Sequence, residues 1–186
     1  MAATKVSICN AALRAIGAKR ISSFDEDSEE AEHCRDIYDQ IRLSLLRKHP
    51  WSCAKKRAIL SPVSTYPNFG YAYAFPLPDD YVRVIDTSIE SYEIENRYIL
   101  ADTNRINLIY IFDNDNEATW DPMLCEALSL KMASSMCKPI TGSDAAGDSA
   151  EIKFKELIKE ARNINAQERP SQDLQWSDSS YLEGRY

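Results

Sequence analysis

The chain has 186 residues, of which 44% are hydrophobic and 27% charged, a balance ordinary for one soluble globular domain. A chain of this length can bury roughly 70% of the surface its unfolded form exposes, so it needs no disulfide or metal to hold a core. Five glycines argue against a glycine-rich phosphate-binding enzyme, and a net charge of −7 argues against a conventional DNA-gripping surface, because phosphate contacts supply most of such affinity. It is compatible with a surface that DNA slides past without sticking.

In chain order, the first element is a helix over about 4–16. Val6, Cys9, Leu13 and Ile16 recur at helical spacing beside Ile8 and Ala12, and Gly17 is a natural C-terminal stop. Thr4 and Ser7 give a modest start signal. The start Met1-Ala2-Ala3-Thr4-Lys5 runs straight into this amphipathic pattern, with no signal peptide and no apolar run of membrane-spanning length, so the expectation is a protein soluble and cytoplasmic when made.

A second helix is expected over about 28–49. Ser28 is a good N-cap and the acids around it, Asp25, Glu26, Asp27, Glu29 and Glu30, suit the positive helix end. That structural role accounts for the acidic cluster better than a metal site does. Ala31, Cys34, Tyr38, Ile41 and Leu45 form the apolar stripe, and Pro50 ends the helix.

Residues 51–112 change character. Pro62, Pro67, Pro76 and Pro78 forbid a long helix, and Tyr71, Tyr73 and Phe75 alternate with Ala72 and Ala74. Tyr81–Asp86 is β-rich, residues 92–94 and 98–100 flank a hairpin turn at 95–97, and Ile106–Phe112 is the strongest strand in the chain. One small antiparallel sheet is therefore expected between two helical halves.

A third helix begins at Trp120 or Asp121, with Pro122 in its first turn. It carries Leu124, Leu128, Met132 and Met136 four apart, and Pro139 is expected to stop it near 138. Residues 141–149 read as a loop or a weak first turn. A fourth helix follows over about 149–165, with Ala150, Phe154, Leu157, Ala161 and Ile164 on one face. The fold class is thus mainly α with an inserted antiparallel β-region: a four-helix bundle plus a small sheet in one domain, 1–165. Residues 166–186 are expected to form an extended C-terminal tail. Pro170 blocks helix continuation, yet Leu174, Trp176, Tyr181, Leu182 and Tyr186 are too apolar for a free tail. With Arg169 they form a candidate interface with a neighbouring subunit or a partner ring.

No catalytic constellation emerges. The five cysteines, Cys9, Cys34, Cys53, Cys125 and Cys137, lack metal-ligand spacing and read as buried free thiols of a reducing compartment. His33 and His49 mark the two ends of the second helix, and Glu90, Glu93 and Glu95 read as a solvated strand face. There is no nucleophile elbow, Walker loop or zinc-protease motif. No catalytic, metal-binding or cofactor-binding residue is assigned. One basic cluster stands out, Arg47, Lys48, Lys55, Lys56 and Arg57, with Trp51 inside it. It is either a solvated or inter-subunit ion-pair surface, with the acidic 25–32 segment as its natural complement, or a nucleic-acid contact.

Several segments resemble one family. These are residues 8–17, Ser28 with 31–35 and 38–42, the stretch Leu45-Leu46-Arg47-Lys48-His49-Pro50-Trp51-Ser52-Cys53-Ala54-Lys55-Lys56-Arg57-Ala58, then 69–73, 77–84 and 161–168. Each is weak alone; in this order they resemble the phage tail tubular protein A family, the head-to-tail adaptor of podophage-like tails. The resemblance covers most of residues 5–168 and does not extend beyond. It implies a helical bundle with an inserted β-region, and no catalytic residues. It also implies a ring of identical subunits, typically twelve, at the head–tail junction of the virion. That ring would sit between the portal protein and the tail nozzle protein (tail tubular protein B-like), with double-stranded DNA passing through. Tail fibres are a further candidate partner. Two other readings compete: a soluble DNA-binding or DNA-processing protein using the 47–57 cluster, and a small enzyme of unknown type.

Overall fold

The computed structural model describes residues 3–64 and 67–167. Its helices are α1 (Lys5–Ala15), α2 (Glu29–Lys48), α3 (Pro122–Thr141) and α4 (Ala145–Gln167). Its strands are β1 (Lys55–Leu60), β2 (Tyr73–Pro76), β3 (Tyr81–Thr87), β4 (Glu93–Glu95), β5 (Tyr98–Ala101) and β6 (Ile106–Phe112). The fold is α+β, as the change of periodicity along the chain requires.

The helix ends follow local chemistry. At α1 the Thr4 hydroxyl accepts from the Ser7 amide at 3.1 Å while the Ser7 hydroxyl accepts from the Thr4 amide at 2.9 Å, a reciprocal cap stronger than the sequence alone suggests. Gly17, at φ +74°, turns the chain out of the helix. At α2 the Ser28 side chain accepts from the Ala31 amide, and three acids fill the first turn. His49 leaves the helix in an extended conformation ahead of Pro50.

Two expected boundaries are wrong, for instructive reasons. Pro139 does not stop α3; the helix runs on to Thr141. A proline costs most in a helix interior, whereas this one lies in the last turn. The chain then closes through Gly142 at φ +71°, whose amide donates to the Lys138 carbonyl at 2.9 Å. The 141–149 segment is not a loop throughout, because α4 begins at Ala145, a turn earlier than expected. Gly147 explains the misreading. It is buried against α3, where a Cβ would lie 2.9 Å from the Cys137 Cβ, so glycine here serves close helix approach rather than chain flexibility.

α3 is the central helix and packs on α1, α2 and α4. Leu124, Ala127, Leu128, Met132 and Ala133 are fully buried along it, joined by Cys9, Leu13, Cys34, Tyr38 and Leu46 from the first two helices. Arg42 is buried in the middle of α2. Its guanidinium donates to the Asn114 carbonyl at 3.1 Å and ion-pairs with Asp39 and Asp113, which ties α2 to the turn after β6.

The β-region is not one sheet but two, each three-stranded and antiparallel, in the orders β1-β6-β3 and β2-β5-β4. β1 was not expected, because three consecutive basic residues mask its alternation. Leu60, Ile106, Leu108 and Tyr110 from the first sheet meet Phe75, Leu77, Ile99 and Ala101 from the second, giving a small two-layer sandwich with its own core. The expected hairpin is present. Asn96 and Arg97 both take positive φ, +40° and +67°, as a two-residue turn with the right twist demands. Arg97 is held there by its guanidinium, which donates to the carbonyls of Pro78 and Asp79.

α4 extends through Gln167, so the expected start of the tail at 166 falls within helix. The tail positions Arg169, Leu174, Trp176, Tyr181, Leu182 and Tyr186 lie outside the described residues.

Candidate interaction surfaces

The acidic segment is built around the entry to α2. The Glu26 carboxylate accepts from the Ser22 amide at 2.7 Å, and that bond holds its carboxyl below the usual carboxylate range. Arg35 donates to the carbonyls of Phe24 and Glu26 and closes the loop. Glu29 lies 3.8 Å from His33 one turn on. Asp25, Asp27 and Glu29 are exposed and Glu30 is half-buried, so most of this negative charge faces water.

The basic cluster at the other end of α2 divides. Arg47 is exposed and donates to the Val82 carbonyl at 2.7 Å, pinning the helix end to β3. Lys56 donates to Asp80 at 2.6 Å and sits 3.8 Å over the Phe112 ring. Burial pushes the Asp80 carboxyl up, but hydrogen bonds from Lys56 and Tyr110 outweigh it and hold the group below its ordinary range. Lys55 is half-buried, while Lys48 and Arg57 are exposed. Trp51, the aromatic that suggested nucleic-acid contact, is 3% exposed, and its indole donates to the Leu45 carbonyl. It offers no face for a base to stack on.

The sequence pairs the 25–32 acids with the 47–57 bases; within one chain the fold keeps them apart. α2 has 20 residues, which at 1.5 Å per residue sets its ends about 30 Å from each other. Among the described residues no ion pair joins the two groups.

The two histidines are separated by the same helix. His49 is buried edge-on to Trp51, with ring centroids 4.5 Å apart. Burial lowers its pKa, and the positive charges of Arg162, Lys55 and Arg83 lower it further, which disfavours the imidazolium. All five cysteines are free thiols, but only Cys9, Cys34 and Cys137 are buried; Cys53 and Cys125 are half-exposed at the surface of the bundle. The Cys34 side chain beside it, and then burial, push the Cys9 thiol up, and burial raises Cys53 and takes Cys125 to about 11. These three are poor nucleophiles. Glu93 and Glu95 lie exposed on β4 and Glu90 in the turn before it. Among the described residues no three His, Cys, Asp or Glu side chains cluster as a metal site needs.

Of the concavities that the sequence reading missed, two belong to the sandwich. The outer face of the β1-β6-β3 sheet forms a cleft of about 590 Å³ lined by Arg57, Ile59, Asp86, Arg105, Asn107 and Ile109. Register explains it: Arg57 opposes Ile109 and Ile59 opposes Asn107, so these side chains share the face turned away from the sandwich core. The outer face of the β2-β5-β4 sheet forms a groove of about 850 Å³, whose lining includes Phe69, Tyr98, Leu100, Glu93 and Glu95. Strand alternation was the available signal, but it required knowing that there are two sheets.

The chain matches no known family model and no curated protein. Among the described residues no helix is long and apolar enough to cross a membrane.

Proposed function

We propose that the chain is a structural subunit of a bacteriophage head-to-tail connector, an adaptor ring joining the portal to the tail nozzle and forming part of the DNA channel. The observation that carries this reading is the charge separation along α2. Acids cluster at one end and bases at the other, roughly 30 Å apart at 1.5 Å rise per residue, with no ion pair between the two groups among the described residues. A ring made of one kind of subunit needs two different surfaces that complement each other between copies and close by rotation. Opposite charges on opposite ends of a rigid helix supply such a pair.

The ordered resemblance over residues 5–168 and the α+β architecture of four helices with an inserted β-region support the same reading. The net charge of −7 suits a channel that DNA must traverse without adhering. The partners would be further copies of the chain, the portal protein and the nozzle protein, in the virion at the head–tail junction and in the host cytoplasm during assembly.

The test is reconstitution. The purified chain is mixed with the portal protein encoded in the same genome and imaged as single particles. A closed ring of this chain stacked on the portal is expected. Failure to bind portal rings at any salt concentration overturns the proposal.

A further inference from the structure

We infer that neighbouring copies of this chain dock through their β-sandwiches, the outer face of the β2-β5-β4 sheet on one copy seating against the outer face of the β1-β6-β3 sheet on the next. The inference rests on the ring-subunit reading and assigns it a specific contact.

Four observations converge. First, the two concavities occupy opposite faces of one sandwich. Leu60, Ile106 and Leu108 of one sheet and Phe75 and Ile99 of the other fill the interior, and alternation turns Arg57, Ile59 and Asn107 outward on one side and Leu100, Glu93 and Glu95 outward on the other. One copy therefore cannot satisfy its own pair of faces, whereas a row of copies satisfies every pair but the last, and a closed ring satisfies all.

Second, the faces are complementary in charge. Glu93 and Glu95 rim the groove, while Arg57 and Arg105 rim the cleft; none of the four forms an ion pair among the described residues. The cleft's own carboxylate, Asp86, accepts from the Thr87 amide at 2.9 Å and offsets only one of the two arginines.

Third, each face exposes a large apolar side chain. Phe69 on the lip of the groove is 89% exposed and Ile59 in the cleft is 63% exposed, the two highest values among large hydrophobic residues of the described chain. A projecting aromatic against an aliphatic floor, with charge at the rim, is the usual arrangement of a contact that holds.

Fourth, the two faces overlap the charged ends of α2 at one residue: Arg57 belongs to the 47–57 cluster, whereas Phe69, Glu93, Glu95, Ile59 and Arg105 belong to neither charged segment. The sandwich contact thus adds to any pairing through α2 and fixes which way round the copies meet.

Charge reversal tests it with the full chain on portal rings. The first variant is E93K/E95K, the second R57E/R105E, and the third carries all four changes. All four positions are exposed, so folding should be unaffected, which circular dichroism and thermal melting check. Each half-reversal should lower ring occupancy on the portal by at least about tenfold, because like charges then face each other across the contact. The fourfold variant restores complementarity between copies and should recover ring formation. A mixture of the two half-reversed chains should also recover it, because strict alternation of the two kinds places opposite charges at every contact of an even-numbered ring. F69S alone should weaken assembly without changing the melt. Rings that form normally with either half-reversal overturn this contact while leaving the ring reading intact, as does a fourfold variant that fails to recover. A wild-type chain that forms no ring on the portal overturns both.

Discussion

The Arg42 guanidinium reaches from the middle of α2 to the Asn114 carbonyl, 3.1 Å away and seventy-two positions on in the chain, and also pairs with Asp113. Arg42 is 5% exposed, so its charge is held almost wholly out of water by these partners and Asp39. The contact joins the helical half of the molecule to the sandwich at the point where β6 returns the chain to α3. Removing the arginine leaves the Asn114 carbonyl without its charged donor and opens space in the core. Arg42→Ala should therefore cost about 3 kcal/mol. Asp113→Asn, at a side chain 37% exposed and still able to accept a hydrogen bond, should cost about 1 kcal/mol. Urea denaturation of both variants checks the order; equal effects would show that the pair, and not the buried bond to Asn114, dominates.

Gly147 is the second sensitive position. In an ordinary exposed helix, replacing glycine with alanine stabilises by about 1 kcal/mol. Here the added Cβ would come within 2.9 Å of the Cys137 Cβ and 3.3 Å of the Ser134 carbonyl oxygen. Neither neighbour is the far end of a flexible chain, so α3 and α4 must separate. Gly147→Ala should be destabilising by about 1–2 kcal/mol, and Gly147→Val by more, because interior overpacking forces backbone shifts. Thermal melts of the two variants check the sign: a stabilised Gly147→Ala protein would mean that the helices tolerate a wider spacing.

Much of the fold is legible in the sequence where one signal acts alone. Ser28, Pro50 and the stripe Ala31–Cys34–Tyr38 fix α2 to within a residue at each end, because cap, stripe and breaker agree. The misreadings occur where two roles compete at one residue. Pro139 signals a stop, but in a final turn its cost is small and Gly142 supplies the real exit. Gly147 signals a loop, but its missing Cβ is required by α3. Lys55, Lys56 and Arg57 signal a surface cluster, and their strand character becomes visible only in the register with β6. The interaction surfaces are less legible for the same reason. The acidic and basic ends of α2 are contiguous in sequence and were found. The two sandwich faces draw Phe69, Glu93 and Glu95, or Arg57 and Arg105, from segments far apart in the chain.

His49 makes stability depend on pH. Its folded-state pKa lies below the ordinary 6.5, because burial and the nearby Arg162, Lys55 and Arg83 disfavour the imidazolium. The unfolded chain then binds the proton more readily than the folded one. The contribution is present in full above pH 6.5 and is lost as pH falls from there through the lower folded value. His49→Gln should remove this part of the acid sensitivity and flatten the stability profile below pH 6.5, at some cost in packing against Trp51. Denaturation midpoints of wild type and variant between pH 7.5 and about 5 check it, a window set by the ordinary histidine range. Parallel profiles would place the acid sensitivity on other groups.

Deletion after Gln167 separates folding from attachment. Among the described residues, Ala150, Phe154 and Ala161 of α4 are buried in the helical core with residues of the other three helices. The segment itself carries Leu174, Trp176, Tyr181, Leu182 and Tyr186 among polar residues and a proline. Burial of one large apolar side chain is worth roughly 1.5–3 kcal/mol before ordering costs, so a few such anchors offset the entropy of fixing a short segment on a partner. Under the connector reading, the truncated chain should keep its helical content and melting temperature but bind portal rings at least about tenfold more weakly, the equivalent of a single lost anchor. The two readouts move independently. A truncated chain that melts early would assign the aromatic residues to this subunit's own stability. One that melts normally and binds portals with unchanged affinity would remove Arg169, Leu174, Trp176, Tyr181, Leu182 and Tyr186 from the interface altogether.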